Sequence, residues 1–217
     1  VGKNVNGGMR LERAGSIMHD GGRLEDNSVL RLSNRNRKAI YVPPDFDEEC
    51  LFEVVNGMKV ALPNMSAYSS QVAQWILLAL YDHVNQSKSG TVLMHALFGT
   101  SIRRDSNRQR RPNVSFISKE RWPIAKIAPD SDPWPVVPNL VIEVISPKDR
   151  IVEVNAKISD YFEAGVELVW VVHPRNEMVE VYTAPLQSTK LSKSETLTGG
   201  SVLPGFELKL ATIFRSN

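Results

Sequence analysis

The sequence predicts an α/β fold, a mixed β-sheet flanked by helices, and three observations lead there. An Asn56-Gly57 dipeptide separates two short apolar-rich runs, a stretch of helical period follows at 66–84, and LVIEVIS at 140–146 reads as a strand buried on both faces. Helical and strand patterns then alternate, which is how layered α/β domains are built. With 217 residues, 42% of them hydrophobic, one core is large enough to hold the domain without disulfide or metal staples.

Residues 1–40 hold no aromatic side chain, and their apolar residues follow neither a helical nor a strand period. They are expected to form a disordered extension ahead of a single domain at 41–217. In that domain LFEVV and MKVAL flank Asn56-Gly57, a dipeptide suited to a two-residue type I′ turn, and predict a β-hairpin. Val72, Trp75, Ile76, Ala79, Leu80 and Val84 recur at spacings of three and four, which predicts a helix with a wide buried face. TVLMHALFG and VSFIS read as strands joined through the Arg-rich stretch SIRRDSNRQRRP. Residues 119–138 carry five prolines and read as a long surface loop. Pro147 stops the LVIEVIS strand, and residues 151–164 predict a helix that ends at Gly165, a left-handed cap position. VELVWVVH and MVEVYT follow as strands, and 206–210 supplies a further short one.

The lone Cys50 excludes a disulfide-built secreted scaffold, and the longest apolar stretch, at 75–80, is far too short to span a membrane. No apolar block follows a basic start at the amino end, so the expectation is a cytoplasmic protein. The net charge of +2 divides unevenly: residues 1–40 hold 8 Lys or Arg against 4 Asp or Glu, leaving 18 against 20 in the rest. Any grip on phosphate must therefore come from a local cluster.

Four features could carry chemistry. Glu143 lies between Val141 and Ile145 on one face of its strand, while Leu140, Ile142 and Val144 fill the other; a carboxylate there is either paired in a structural salt bridge or part of a site. Lys157 sits at the border of the apolar stripe Val154, Ile158, Tyr161 and Phe162, where a lysine either snorkels to water or reaches along the sheet towards Glu143. Arg103, Arg104, Arg108, Arg110 and Arg111 form a cluster that suits either a phosphate-binding edge or an exposed hairpin tip. Trp122 and Trp134 could stack on bases or pack back onto the fold. The four histidines have no paired spacing, and neither a serine-nucleophile elbow nor a phosphate-binding glycine loop is present.

FEVVNGM, RRPNVSFISKERWP, PNLVIEVISPKDR, KISDYFEAGVELVWVVHP and LPGFELKL, in this order from about 44 to 214, resemble the Uma-type family of restriction endonucleases within the PD-(D/E)XK nuclease superfamily. The resemblance implies a restriction-endonuclease-like core with a divalent metal, Mg2+ or Mn2+, at the sheet edge, acting on DNA phosphodiesters. Carried over, Glu143 is the metal carboxylate and Lys157, on the following helix, is the water-positioning lysine; Ile145 stands where most of the superfamily keeps that lysine. Glu53, in the family's hairpin motif, is a weaker candidate. Cutting both strands of a duplex needs two sites, so a homodimer is part of the same expectation.

The chain departs from the family pattern at one ligand. Pro112-Asn113-Val114 replaces P-D-V, so Asn113 offers a neutral oxygen in place of a charged one. Such a change should weaken magnesium by at least roughly tenfold to hundredfold. Either Asp105, Asp130, Asp132 or Asp149 compensates, or cleavage is impaired. The alternative function is a catalytically inactive nucleic-acid-binding module that uses the arginine cluster.

Overall fold

Asn56 and Gly57 take φ 52° and 81°, both positive as a type I′ turn requires, and close the hairpin of β1 (Phe52–Val55) and β2 (Met58–Ala61). The computed structural model describes residues 40–99, 107–130 and 133–215, so the expectation for 1–40 lies almost wholly outside the described residues. The hairpin belongs to a four-stranded sheet completed by two very short strands, β4 (Phe98–Gly99) and β5 (Gln109–Arg110), in the order β2-β1-β5-β4.

The helix expected at 66–84 is α1 (Ala67–Ser87). The Ser66 hydroxyl starts it by accepting from the Ser69 N–H at 3.1 Å, and Lys88 ends it in the left-handed conformation. The main sheet has six strands in the order β10-β9-β8-β7-β6-β3. They are β3 (Gly90–Met94), β6 (Val114–Ser118), β7 (Leu140–Val144), β8 (Leu168–His173), β9 (Met178–Ala184) and β10 (Gln187–Ser192). Only the β7–β8 pair among them is parallel, and α2 (Ile151–Ala164) makes the crossover that a parallel pair needs. Gly165 caps α2 at φ 95°, as the sequence predicts. The mixed sheet with flanking helices is thus the observed architecture.

The parity read along LVIEVIS also holds. Leu140, Ile142 and Val144 join Val72, Ile76, Leu80 and Trp170 in the core under α1, to which the small hairpin of β11 (Thr196–Gly199) and β12 (Leu203–Lys209) adds Leu197, Phe206 and Leu208. Val141 faces the opposite way, into a second cluster with Ile158, Tyr161 and Val171 beneath α2. Glu143 therefore lies on the α2 side.

The structure decides three further points. TVLMHALFG is not one strand, because His95 at φ 53° breaks it between β3 and β4. Trp122 and Trp134 pack back onto the fold, the second of their two readings: their rings meet edge-on at 5.1 Å, Trp134 stacks on Phe98, and the Trp122 indole N–H donates to the Lys126 carbonyl. Strand β10 was not anticipated, since five of its six residues are exposed and polar and show no apolar alternation.

Strands β3 and β6 approach so closely at Gly90 that a Cβ there would stand 2.1 Å from the Ile117 carbonyl oxygen. Gly90→Ala is expected to lower stability by about 1–3 kcal/mol, because backbone has to move. Urea unfolding checks it, and an unchanged midpoint would show that the edge strand yields freely.

Candidate active site

Glu143 enters the site by strand alternation and Lys157 by helix periodicity. Lys157, Asp160 and Tyr161 stand three and four residues apart on α2, so all three face the same side of the sheet. The Lys157 Nζ lies 3.5 Å from Glu143 Oε1, and the Tyr161 hydroxyl donates to that same oxygen at 2.5 Å. Lysine and carboxylate are therefore joined, as the second of the two sequence readings of Lys157 anticipates.

Glu53 arrives from β1 and is more central than its weak sequence signal suggests. Its Oε1 sits 3.1 Å from Lys157 Nζ and accepts the Arg111 backbone N–H at 3.0 Å, while its Oε2 accepts from Arg110 at 2.7 Å. Arg110 in turn grips Asp160 Oδ2 through Nε at 2.8 Å and Nη2 at 2.5 Å. Arg108 pairs with the other oxygen of Asp160. Glu53, Arg110, Glu143 and Asp160 are each no more than 6% exposed. Three carboxylates, the buried Arg110 and the largely covered Lys157, with Arg108 at the rim, thus form one ion network between the small sheet and α2.

Burial drives the electrostatics. Desolvation pushes the Glu143 carboxyl above its ordinary range, Glu53 adds to the push, and Lys157, Tyr161 and Arg110 only partly oppose it. Burial pulls the Lys157 ammonium down, but the attraction of Glu143 and Glu53 outweighs it and leaves the lysine above its usual value. The Tyr161 phenol is raised well above normal, by burial first and then by Glu143, so it stays a donor. The arrangement can hold a proton on or next to Glu143 beside a permanent ammonium.

Of the remaining sequence candidates, Asn113 and Asp149 are turned to backbone N–H groups outside this network. Asn113 turns its amide oxygen to the Val144 N–H at 2.6 Å and its amide nitrogen to the Met65 sulfur at 3.3 Å. It works as a backbone clasp between β6 and β7, since the Val144 N–H at the strand end needs an acceptor. The expected exposed arginine edge is also corrected. Arg110 and Arg111 are 5% and 9% exposed, Arg110 is spent on Glu53 and Asp160, and Arg111 donates to the Phe52 and His95 carbonyls. The physical reason is that the buried carboxylates need cations, and this stretch supplies them. Arg103, Arg104, Asp105 and Asp132 lie outside the described residues. Asp130 is exposed on the loop, and Asp149 accepts the Ser146 N–H at 2.6 Å.

Magnesium prefers several oxygen donors around one point. Among the described residues no group of three His, Cys, Asp or Glu side chains could hold a metal ion. Both oxygens of Glu53 and one of Glu143 already face Lys157, Arg110, Tyr161 or a backbone N–H, and the Asn113 oxygen is occupied. The residues in this arrangement do not fit a magnesium centre.

Sequence reasoning missed Asp160 and the inward role of Arg110. Asp160 carried a usable signal, three residues after Lys157 and one before Tyr161, whereas Arg110 lies on a two-residue strand that no periodicity reveals.

A family model named Uma2 and described as a putative restriction endonuclease matches residues 40–211. Among solved structures the chain is similar to a putative nuclease belonging to DUF820 from Anabaena variabilis ATCC 29413, with a TM-score of 0.64 at 17% identity, covering 75% of this chain and 89% of that one. That likeness concerns the fold. No curated protein matches the chain. No helix among the described residues is long and apolar enough to cross a membrane.

Proposed function

Because the chain belongs to the Uma2 family of restriction-endonuclease-like proteins, we propose that it is a DNA-directed nuclease in which metal-dependent phosphodiester cleavage is impaired. The observation that carries this reading is the double loss of donor capacity. Glu53 and Glu143 are engaged by Lys157 and Arg110, and the neutral Asn113 holds the Val144 N–H instead of facing them. A carboxylate at position 113 could keep that backbone bond through one oxygen and leave the other for a cation. Glu143 and the Lys157 ammonium remain the groups placed to handle a proton and negative charge at a phosphate. The burial of Arg110 and Arg111 speaks against the binding-module alternative, which needed them on the surface.

Nicking of supercoiled plasmid in Mg2+ and in Mn2+ tests the proposal. The natural chain should cut weakly, Asn113→Asp should cut roughly tenfold to hundredfold faster, and adding Glu143→Gln to Asn113→Asp should abolish the gain. Full activity of the natural chain, or silence of the Asp variant with its fold intact, would overturn it.

A further inference from the structure

Beside the ion network, on the same face of the main sheet, lies a hollow of about 190 Å³. It takes in Ile145, two residues after Glu143 and just past the end of β7, and Val171, the cross-strand partner of Glu143 on β8. Strands rise roughly 3.3 Å per residue and neighbours lie about 5 Å apart, so both lining residues stand within on the order of 7 Å of the Glu143 backbone. The same helix roofs both places, with Lys157 and Tyr161 over Glu143 and Val154 and Asn155 over the hollow.

Its walls differ in kind. Ile145, Ile151, Val154 and Val171 supply aliphatic surface, while Asp149, His173, Glu180 and Tyr182 supply polar groups. Tyr182 donates to Glu180 Oε2 at 2.8 Å, and His173 Nε2 and Lys190 Nζ stand 3.3 Å and 3.8 Å from Glu180 Oε1. The His173 nitrogen is buried and lacks a hydrogen-bond partner. A buried polar atom left unsatisfied calls for a ligand or a water. The volume falls below the roughly 300–1,000 Å³ of drug-sized sites, so a single ring-sized group fits and a larger molecule does not.

We propose that this hollow receives one unstacked nucleobase carrying an exocyclic amino group, held against the aliphatic surface with its amino edge on Glu180. The proposal rests on the nucleic-acid reading above and deepens it, by naming what the site recognises next to the phosphate. A planar heteroaromatic ring suits a hollow with both aliphatic and polar surface, a carboxylate accepts from the amino group of cytosine, and an unpaired base is cheapest to present. A cation fits less well: the lining carboxylates Asp149 and Glu180 share it with four aliphatic side chains, and among the described residues no group of three His, Cys, Asp or Glu could hold a metal ion.

The test measures binding of the full chain, by fluorescence anisotropy, to two labelled duplexes that differ only in a single unpaired cytosine. The unpaired cytosine should tighten binding about tenfold, the equivalent of one good base contact. Glu180→Gln, which keeps the shape but turns a donor towards the amino group, should remove that preference, so that the two duplexes bind alike. Asn155→Trp, an exposed change at the mouth, should do the same by blocking entry, and it keeps the test valid if Glu180→Gln fails to fold. Equal affinity for the two duplexes would overturn the nucleobase site and leave the nucleic-acid reading standing. A cytosine preference that survives in folded variants would also overturn the site. Absence of binding to either duplex would overturn both.

Discussion

Arg110→Ala is expected to destabilise the protein by about 3–5 kcal/mol, the usual consequence of removing one partner from a buried ion pair. Arg110 is held on three sides: Nη1 on Glu53, and Nε with Nη2 on Asp160. Its guanidinium is bound more tightly to its proton than usual, because the two carboxylates more than offset the opposing effect of burial. Removing it leaves Asp160 with Arg108 alone and strips Glu53 of one of its two cations. The residue is also the physical link between the small sheet and α2, since Glu53 lies on β1, Arg110 on β5 and Asp160 on α2. For a chain of this size the loss corresponds to a melting temperature lower by on the order of 10 °C. Urea unfolding of Arg110→Ala, Asp160→Asn and the double variant gives the coupling energy; a near-additive double variant would mean that the clamp contributes little. Because removal of a partner also penalises the charge left behind, the triple replacement of Glu53, Arg110 and Asp160 by apolar residues of similar size should be far less harmful than Arg110→Ala.

The contrast between these outcomes explains what the sequence could and could not convey. Patterns that report burial of apolar side chains were legible: the α1 stripe, the two faces of β7, the hairpin turn at Asn56-Gly57 and the cap at Gly165. Each of these depends on neighbours within a few residues. The ion network does not, because Arg110 meets Asp160 across 50 residues and Glu53 across 57, and a charged side chain looks the same in sequence whether it faces solvent or another charge. The five arginines were visible as a group, yet among the described members Arg108 and Arg110 turn to buried carboxylates and Arg111 to backbone carbonyls. Asn113 shows the same limit. Its place in the family motif was readable, but its amide satisfies the Val144 N–H, a demand set by the pairing of β6 with β7. The Uma-type resemblance and the α/β sheet both hold, while the strand β10 escaped because its exposed, polar residues carry no period.

Lys157→Met should produce the clearest pH signature in the molecule. In the natural chain Lys157 has a folded pKa above its ordinary value, so its contribution to stability is complete below the unfolded lysine pKa and is lost only as pH rises through the raised folded one. Glu143 is also raised, by burial, which means that the folded state favours its protonated form; the benefit is complete below the unfolded carboxyl pKa of about 4.3 and fades as pH rises through the folded value. Lys157 is the strongest group opposing that rise. Without it the Glu143 carboxyl moves higher still, and Glu53 loses its second cation. The variant should therefore be less stable by about 3–5 kcal/mol at pH 8, where an unpaired carboxylate would be buried. The deficit should shrink as pH falls towards 5, where protonation removes the charge. Adding Glu143→Gln to Lys157→Met mimics the protonated acid, and the amide oxygen of the substituted side chain can still accept from Tyr161, so the double variant should recover stability at pH 8 and lose the pH dependence. Urea midpoints of both variants at pH 5 and pH 8 check this. A deficit that is the same at both pH values would mean that Lys157 contributes through packing of its aliphatic stem, and that the charge on Glu143 is compensated from elsewhere in the network.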